Sequence, residues 1–272
     1  MSLGETLKQA RKTQHRSQQQ AAADLCSQSM LSAIENDRYT PNARLLVGLC
    51  NRLNINISNL SLASDFDISF NPDINQTMQR LCNAHQYHEL DHFLQQVTVR
   101  QQIRTNEQTQ AYYYYLGIAQ YQAGHQLDAA KQNLQLAVNC SPTRMTTTLT
   151  RLSQSSLAVI YAHQQIPRKA RHLLDEAIQD IDQLSYDENL NIPFYLAAFT
   201  EYQLKAYDSA TSWLVQGINF TTSHQSHYML ANDYRLLAEI ALKQDQASRY
   251  LDALTKQRFL TELFHEAVNE NF

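Results

Sequence analysis

The chain has 272 residues, a formal net charge of −4, 43% hydrophobic residues and only five glycines and five prolines. That length suits one large domain or two ordinary ones, and the scarcity of turn-forming residues favours an all-α chain over a β-rich one. No run approaches the ~18 apolar residues that span a membrane, and the start, LGETLKQARK, has no apolar signal core. Together with widely spaced Cys26, Cys50, Cys82 and Cys140, this predicts reduced thiols in a cytoplasmic protein without a membrane segment.

The first predicted helix covers residues 3–12, with Leu3, Leu7 and Ala10 as its buried stripe. Ser17 then stands as an N-cap, and Gln20 three residues on completes a capping box, opening a second helix that runs to about residue 25. A tight turn at Cys26 leads into a third helix within 25–37. There Met30, Leu31 and Ile34 turn one way, while Gln28, Ser29 and Ser32 share the opposite face. An uncharged, hydrogen-bonding outer face suits the floor of the DNA major groove, where base edges offer donors and acceptors. Helix, short turn and polar-faced helix is the helix-turn-helix plan. Gln18 at the head of the second helix is placed to meet a phosphate, and Arg38 and Arg44 flank the polar helix as further phosphate candidates. A fourth helix at 42–53 and a short fifth at 57–63 complete a five-helix domain over residues 1–63.

The pattern over residues 3–60 resembles the lambda-repressor-type (XRE) helix-turn-helix domain. More narrowly, CSQSMLSAIE at 26–35, followed by Pro41, is similar to the Rgg/PlcR-type peptide-sensing regulators of Gram-positive bacteria. The resemblance implies that Gln18 contacts a phosphate and that Gln28, Ser29 and Ser32 face bases. It also implies an Arg11–Glu35 pair locking the first helix to the third. The chain departs from the pattern twice: the usual glycine before the third helix is missing, and Asp37 stands where glycine is common.

Residues 1–66 carry seven Lys/Arg and five Asp/Glu, net +2, against 15 and 21, net −6, in the remaining 206, which returns the total of −4. A single domain with so small an excess has few phosphate contacts to offer, which predicts a homodimer on a palindromic double-stranded DNA operator. Its half-sites should lie about one helical turn apart.

A short acidic linker is expected at 64–70, and residues 71–272 then repeat themselves. The set Leu90, Leu94, Val97 recurs 40 residues later as Ala130, Leu134, Ala137, then as Ala170, Leu174, Ala177 and as Ala210, Leu214, Gly217. A fifth set, Ala247, Leu251, Leu254, follows after 37. Each is preceded by a helix with marks of its own, such as Leu157-Ala158 with Tyr161 and Phe194 with Ala197-Ala198. Asn71-Pro72 opens the first pair of helices, Ser141-Pro142 follows the second, Pro167 falls in the loop of the third and Asn191-Ile192-Pro193 opens the fourth. These spacings resemble the tetratricopeptide (TPR) pattern stretched from about 34 residues, although HEAT repeats have a similar period. The fold expected is therefore all-α, with a right-handed TPR-like solenoid of about five helix pairs behind the helix-turn-helix domain.

On TPR spacing the concave wall carries Tyr115, Ser155, Val159, Tyr195, Phe199, Tyr202, Asn232, Arg235 and Glu239. Aromatic area with a few polar groups and one arginine fits an extended peptide. The family resemblance implies a short secreted signalling peptide, re-imported and held by asparagines on these helices. Asn232 matches that role, whereas Ser155 and Leu196 stand at the other aligned positions.

Tyr112–Tyr115 point in four directions on a helix, so at least two are expected to pack between repeats. His85, His88 and His92, and His224 with His227, fall at helical spacings, but no HExxH accompanies them and no metal or cofactor is expected. There is no phosphate loop, GxSxG or GxGxxG, so a binder is expected and not an enzyme. Two alternatives stay open: a DNA-binding regulator whose repeats dock a protein, and a TPR scaffold that has lost DNA binding.

Overall fold

A computed structural model describes residues 3–36, 38–39, 41–55, 66–124, 126–141, 146–264 and 268. The chain divides into two compact units, Met1–Asp65 and Phe66–Phe272, and no strand occurs among the described residues.

The N-terminal unit contains α1 (Leu3–Thr13), α2 (Gln18–Ala22), α3 (Gln28–Glu35) and α4 (Ala43–Arg52). The expected fifth helix at 57–63 lies outside the described residues. Side-chain oxygens start three of the helices. Ser17 accepts from the Gln20 N–H while the Gln20 side chain accepts from the Ser17 N–H. Ser27 caps α3 through the Met30 N–H, and Asn42 caps α4 through the Leu45 N–H. Leu7, Ala21, Leu31, Ile34 and Leu49 close the core. Met30 was expected among the inward residues but is exposed, because the core is already sealed by Leu31 and Ile34 one turn apart. The turn between α2 and α3 is made without glycine: Asp24 takes φ 61°, a left-handed conformation that Asp tolerates through its short polar side chain.

The second unit is five helix pairs: α5 (Pro72–Asn83) with α6 (Tyr87–Leu94), α8 (Asn106–Gly124) with α9 (Leu127–Asn139), and α10 (Thr148–His163) with α11 (Pro167–Ile178). Then come α12 (Ile192–Gln203) with α13 (Tyr207–Ser223), and α14 (Leu230–Lys243) with α15 (Ala247–Phe264). A single turn, α7 (Val97–Arg100), follows the first pair. Part of the expected linker belongs to this unit. Ile68 is fully buried in the first core cluster, and the Ile68 and Ser69 N–H groups donate to Asn75 Oδ1.

The repeated sets face inward in the middle three pairs, where Ala130, Leu134, Ala137, Ala170, Leu174, Ala177, Ala210 and Leu214 are all buried. Small residues at these slots let the paired helices approach closely. At Gly217 a Cβ would stand 2.8 Å from Cβ of Phe194, too close to fit without movement. The first and last sets depart from the expected register. Val97 is 57% exposed because α6 has already ended at Leu94, and Val99 on α7 fills the core in its place. Leu251 is 61% exposed, and it is Ala253 that is buried on α15.

Backbone geometry explains the second departure. The turn inside a pair places one non-glycine residue in the left-handed region, at His85, Gln165, Lys205 and Asp245. Each is followed by the same closing bond, such as Ile166 N–H to Tyr161 O, Ala206 N–H to Glu201 O and Gln246 N–H to Ala241 O, all 2.8 Å. This is the six-to-one closure of a Schellman motif. The last two turns are 40 residues apart, so the fifth set falls at Tyr250 and Leu254, both half-buried, and not at Ala247 and Leu251. Pro167 likewise is not in a loop but is the first residue of α11, where its missing N–H has no helical acceptor to lose.

Lys205→Gly should stabilise the chain by about 1 kcal/mol and Asp245→Gly by less, since both exposed residues carry a left-handed backbone that costs a Cβ-bearing residue about that much and an Asp less. Urea denaturation of the full chain should show a higher midpoint for each variant. An unchanged or lower midpoint would mean that the turns carry no strain.

Candidate functional site

In the N-terminal unit, the side chains at the head of α3 are tied to the interior by a polar chain. Gln28 Nε2 donates to Gln18 Oε1 at 2.7 Å, and Gln18 Nε2 donates to Glu35 Oε2 at 2.8 Å. Arg11 donates through Nε and Nη2 to the two Glu35 oxygens and through Nη1 to the Arg16 carbonyl. The expected Arg11–Glu35 pair is therefore present and two-pronged. Burial alone would raise the Glu35 pKa, but the hydrogen bonds from Arg11 and Gln18 outweigh it and hold the carboxyl below its ordinary value.

Gln28 and Ser29 are exposed on α3, and Ser32 is half-buried on the same helix. Ser29 Oγ lies 3.0 Å from Ser27 Oγ. Arg38 and Arg44 are exposed. Other cations serve the fold: Arg16 donates to the Arg52 carbonyl, and Arg52 donates to the Ala23 carbonyl at the end of α2. Gln18 is not an isolated residue on the surface. It is the middle link of the chain, with one amide hydrogen left over.

In the repeat unit the first helices of successive pairs, α8, α10, α12 and α14, form one layer. Of the nine residues expected on its open face, six are buried and three are half-buried. Tyr115 packs in the core among Met78, Leu81 and Leu90, and Ser155 is wholly buried with its hydroxyl on the Arg151 carbonyl. Asn232 is buried as well. For Ser155 the reason lies in α10 itself, where every residue from Leu149 to Ala162 is buried. Its small side chains, Ser153, Ser155, Ser156 and Ala158, let α8 and α12 close over it.

Val159, Tyr195 and Phe199 are buried too, at 3%, 6% and 6% exposure, while Tyr202, Arg235 and Glu239 are half-buried. A cleft of about 60 Å³ has Val159 and Ser156 of α10 at its floor, Ile118 and Tyr121 of α8 on one side, and Tyr195 and Phe199 of α12 on the other. Along α12, Tyr195 and Phe199 are parallel at 6.2 Å between ring centres, and Phe199 and Tyr202 nearly so at 6.3 Å. The stack ends in a charged cluster. Glu239 lies 3.8 Å from Arg235 and 3.5 Å from Lys243, and the Tyr202 hydroxyl reaches Glu239 at 3.5 Å. Burial, with the Glu239 charge beside it, pushes the Tyr202 hydroxyl up to about 12.

A larger cleft, about 410 Å³, lies between α13, α14 and α15, floored by Ile218, Leu237 and Ile240 and rimmed by Arg249 and Lys256. No local motif announces it, because three helices each contribute only a few lining residues. The tyrosine run divides as its spacing requires, with Tyr112 and Tyr115 buried in one cluster and Tyr114 packed between two. Two of the histidines serve packing: His224 stacks on Tyr186 at 4.1 Å and His227 on Phe264 at 3.7 Å. Among the described residues no group of three or more His, Cys, Asp or Glu converges as a metal site. No described helix is long and apolar enough to cross a membrane.

Residues 7–60 match the family model for the helix-turn-helix. No curated protein matches the chain. Among solved structures the chain is similar to Bacillus thuringiensis PlcR in complex with the peptide PapR7 and DNA, with TM-score 0.60, 19% identity, and 97% of this chain and 96% of that chain covered. The apo form of the same protein gives TM-score 0.58 at 17% identity, covering 97% of this chain and 94% of that one. The likeness runs through both units and shows a shared fold: an all-α chain with a helix-turn-helix domain followed by TPR-like helix pairs.

A carboxyl whose folded pKa is depressed stabilises the fold above its unfolded pKa, and that contribution is lost as pH falls through the folded value. The N-terminal unit should therefore loosen below about pH 4. Hydrogen exchange on the full chain should show residues 17–35 losing protection between pH 6 and pH 3. Glu35→Gln should be less protected at pH 6 and change less with acid; an unchanged acid response would assign the effect to other carboxyls.

Proposed function

We propose that this chain is a sequence-specific DNA-binding transcriptional regulator whose DNA affinity is set by a short peptide bound along the inner helices of its repeats. The observation that carries the DNA half is the chain Arg11–Glu35–Gln18–Gln28. A glutamine amide reads adenine with two hydrogen bonds in the major groove. Freezing a free glutamine costs rotamer entropy at binding, and Gln18 has already fixed Gln28 before DNA arrives. Ser29 and Ser32 lie beside it as further base contacts, while Arg38, Arg44 and the spare Gln18 N–H are suited to phosphates. Two units on a palindromic operator, brought together as a homodimer, offset the small positive charge of one.

The peptide half is supported by the small cleft lined by Val159, Tyr195 and Phe199, by the charged cluster beside Tyr202, and by the peptide held in the similar PlcR structure. The residues that face the peptide in this reading are Val159, Tyr195, Phe199, Tyr202, Arg235 and Glu239. The reading is of a binder and not of a catalyst. A peptide changes DNA affinity only if it binds the DNA-competent arrangement with different strength, and a coupling of about 1–3 kcal/mol is the usual scale.

With an operator selected from a randomised duplex pool, Gln28→Ala should lose about 1–3 kcal/mol on that operator and little on scrambled DNA. Gln18→Ala should lose affinity for both, and more on the operator, because it removes a phosphate donor and releases Gln28. Fluorescence anisotropy on both duplexes is the measurement. Equal losses on the two duplexes for Gln28→Ala would remove base reading from α3, and a heptapeptide library that never moves operator affinity would remove the peptide half.

A further inference from the structure

The geometry points to the cleft over α10 as a size-selective pocket that takes one aliphatic side chain of the peptide and refuses aromatic ones, with Val159 setting its depth. This inference rests on the peptide reading of the wall and adds what kind of peptide it is.

The lining is mostly apolar: Ile118 and Tyr121 from α8, Val159 from α10, and Tyr195, Leu196 and Phe199 from α12, with Leu134 of α9 behind; Gln122 and Ser156 are its polar members. Its space is about 60 Å³. At roughly 15 Å³ for each water-sized occupant, that admits about four heavy atoms. Leu, Ile and Met side chains have four; Phe has seven and Trp ten. Two features keep the cleft from widening to suit a larger guest. Its floor helix is buried along its whole described face, so Val159 has no room to retreat. Its α12 wall carries Tyr195, Phe199 and Tyr202 as near-parallel rings 6.2 and 6.3 Å apart, and Tyr195 and Phe199 are buried, so neither has open space to swing into.

The position of the cleft also limits the length of the ligand. Four inner helices at about 9 Å spacing span roughly 27 Å, which an extended chain covers in about eight residues at ~3.4 Å each. The aliphatic anchor then falls in the N-proximal half of the wall, and the remainder runs along the α12 rings towards Arg235 and Glu239.

The test uses the full-length protein and fluorescein-labelled heptapeptide pools in which one position at a time is fixed as Ala, Leu, Ile, Met, Phe or Trp. At one position Leu, Ile and Met pools should bind about 60-fold tighter than Ala, the gain from burying three more heavy atoms, and at least tenfold tighter than Phe or Trp. Val159→Ala should narrow or reverse the Leu-over-Phe ratio at that position alone. Ile118→Val, a smaller trim of the opposite wall, should move it the same way by a lesser factor. Leu and Phe pools binding wild type within threefold at every position would overturn the pocket while leaving a peptide receptor in place. So would a ratio that neither variant changes. If no pool binds at all, the peptide reading itself falls, and the pocket falls with it.

Discussion

A carboxylate placed in the interior of a small domain must be answered by hydrogen bonds, and Glu35 organises the N-terminal unit because of that need. Its two oxygens take three donors, from Arg11 and Gln18. Arg11 belongs to α1, Gln18 to α2 and Glu35 to α3, so one buried charge joins three helices. Removing either partner of a buried pair is far more damaging than the pair is stabilising, since the survivor is left charged and unanswered. The arrangement is therefore a geometric specification more than a source of stability. Its outermost link is Gln28, whose amide is held at the head of α3. The interior charge thus determines the direction of a surface group.

The repeat unit meets a different constraint, that of bringing helices close enough to bury small residues. Alanine and glycine at the repeated slots allow close pairing, and serines and alanine along α10 let its neighbours meet over it. Closure of the layer at that point turns a broad trough into a narrow cleft. What remains partly accessible lies further along, at Tyr202 of α12 and at Arg235 and Glu239 of α14. Packing has divided the wall into a restrictive part and a partly open one.

Much of this was legible in the chain because it depends on local periodicity. The capping box at Ser17 and Gln20, the 40-residue spacing of Ala130, Ala170 and Ala210, and the Arg11–Glu35 pair recovered from family resemblance all have counterparts in the structure. The errors share one cause. Spacing places Tyr115, Ser155, Val159, Tyr195, Phe199 and Asn232 on one side of their helices, yet all six are buried, because whether that side is open depends on how far neighbouring helices lean over it, and helix periodicity carries no such information. The fifth set was misplaced because Ala247 and Leu251 imitate the pattern three residues early, while the left-handed turn at Asp245, invisible in residue identity, maintains the true period. The link between Gln18 and Gln28 was missed for a related reason. Two glutamines ten residues apart announce nothing until a turn without glycine brings them together.

Several of the N-terminal cations are committed to the fold, with Arg11 on Glu35, Arg16 on the Arg52 carbonyl and Arg52 on the Ala23 carbonyl, while Lys12, Arg38 and Arg44 are exposed. A dimer using three such residues per unit would neutralise about six phosphates and release a correspondingly small number of counterions, so log K would fall with log salt at a slope of roughly −5. Random-sequence DNA would then hold the protein only briefly at physiological ionic strength. Sliding along the duplex would be short, and the search would proceed mostly by dissociation and re-encounter. A regulator built this way is little titrated by the bulk of the genome, so a modest number of copies leaves a useful free concentration for its operator.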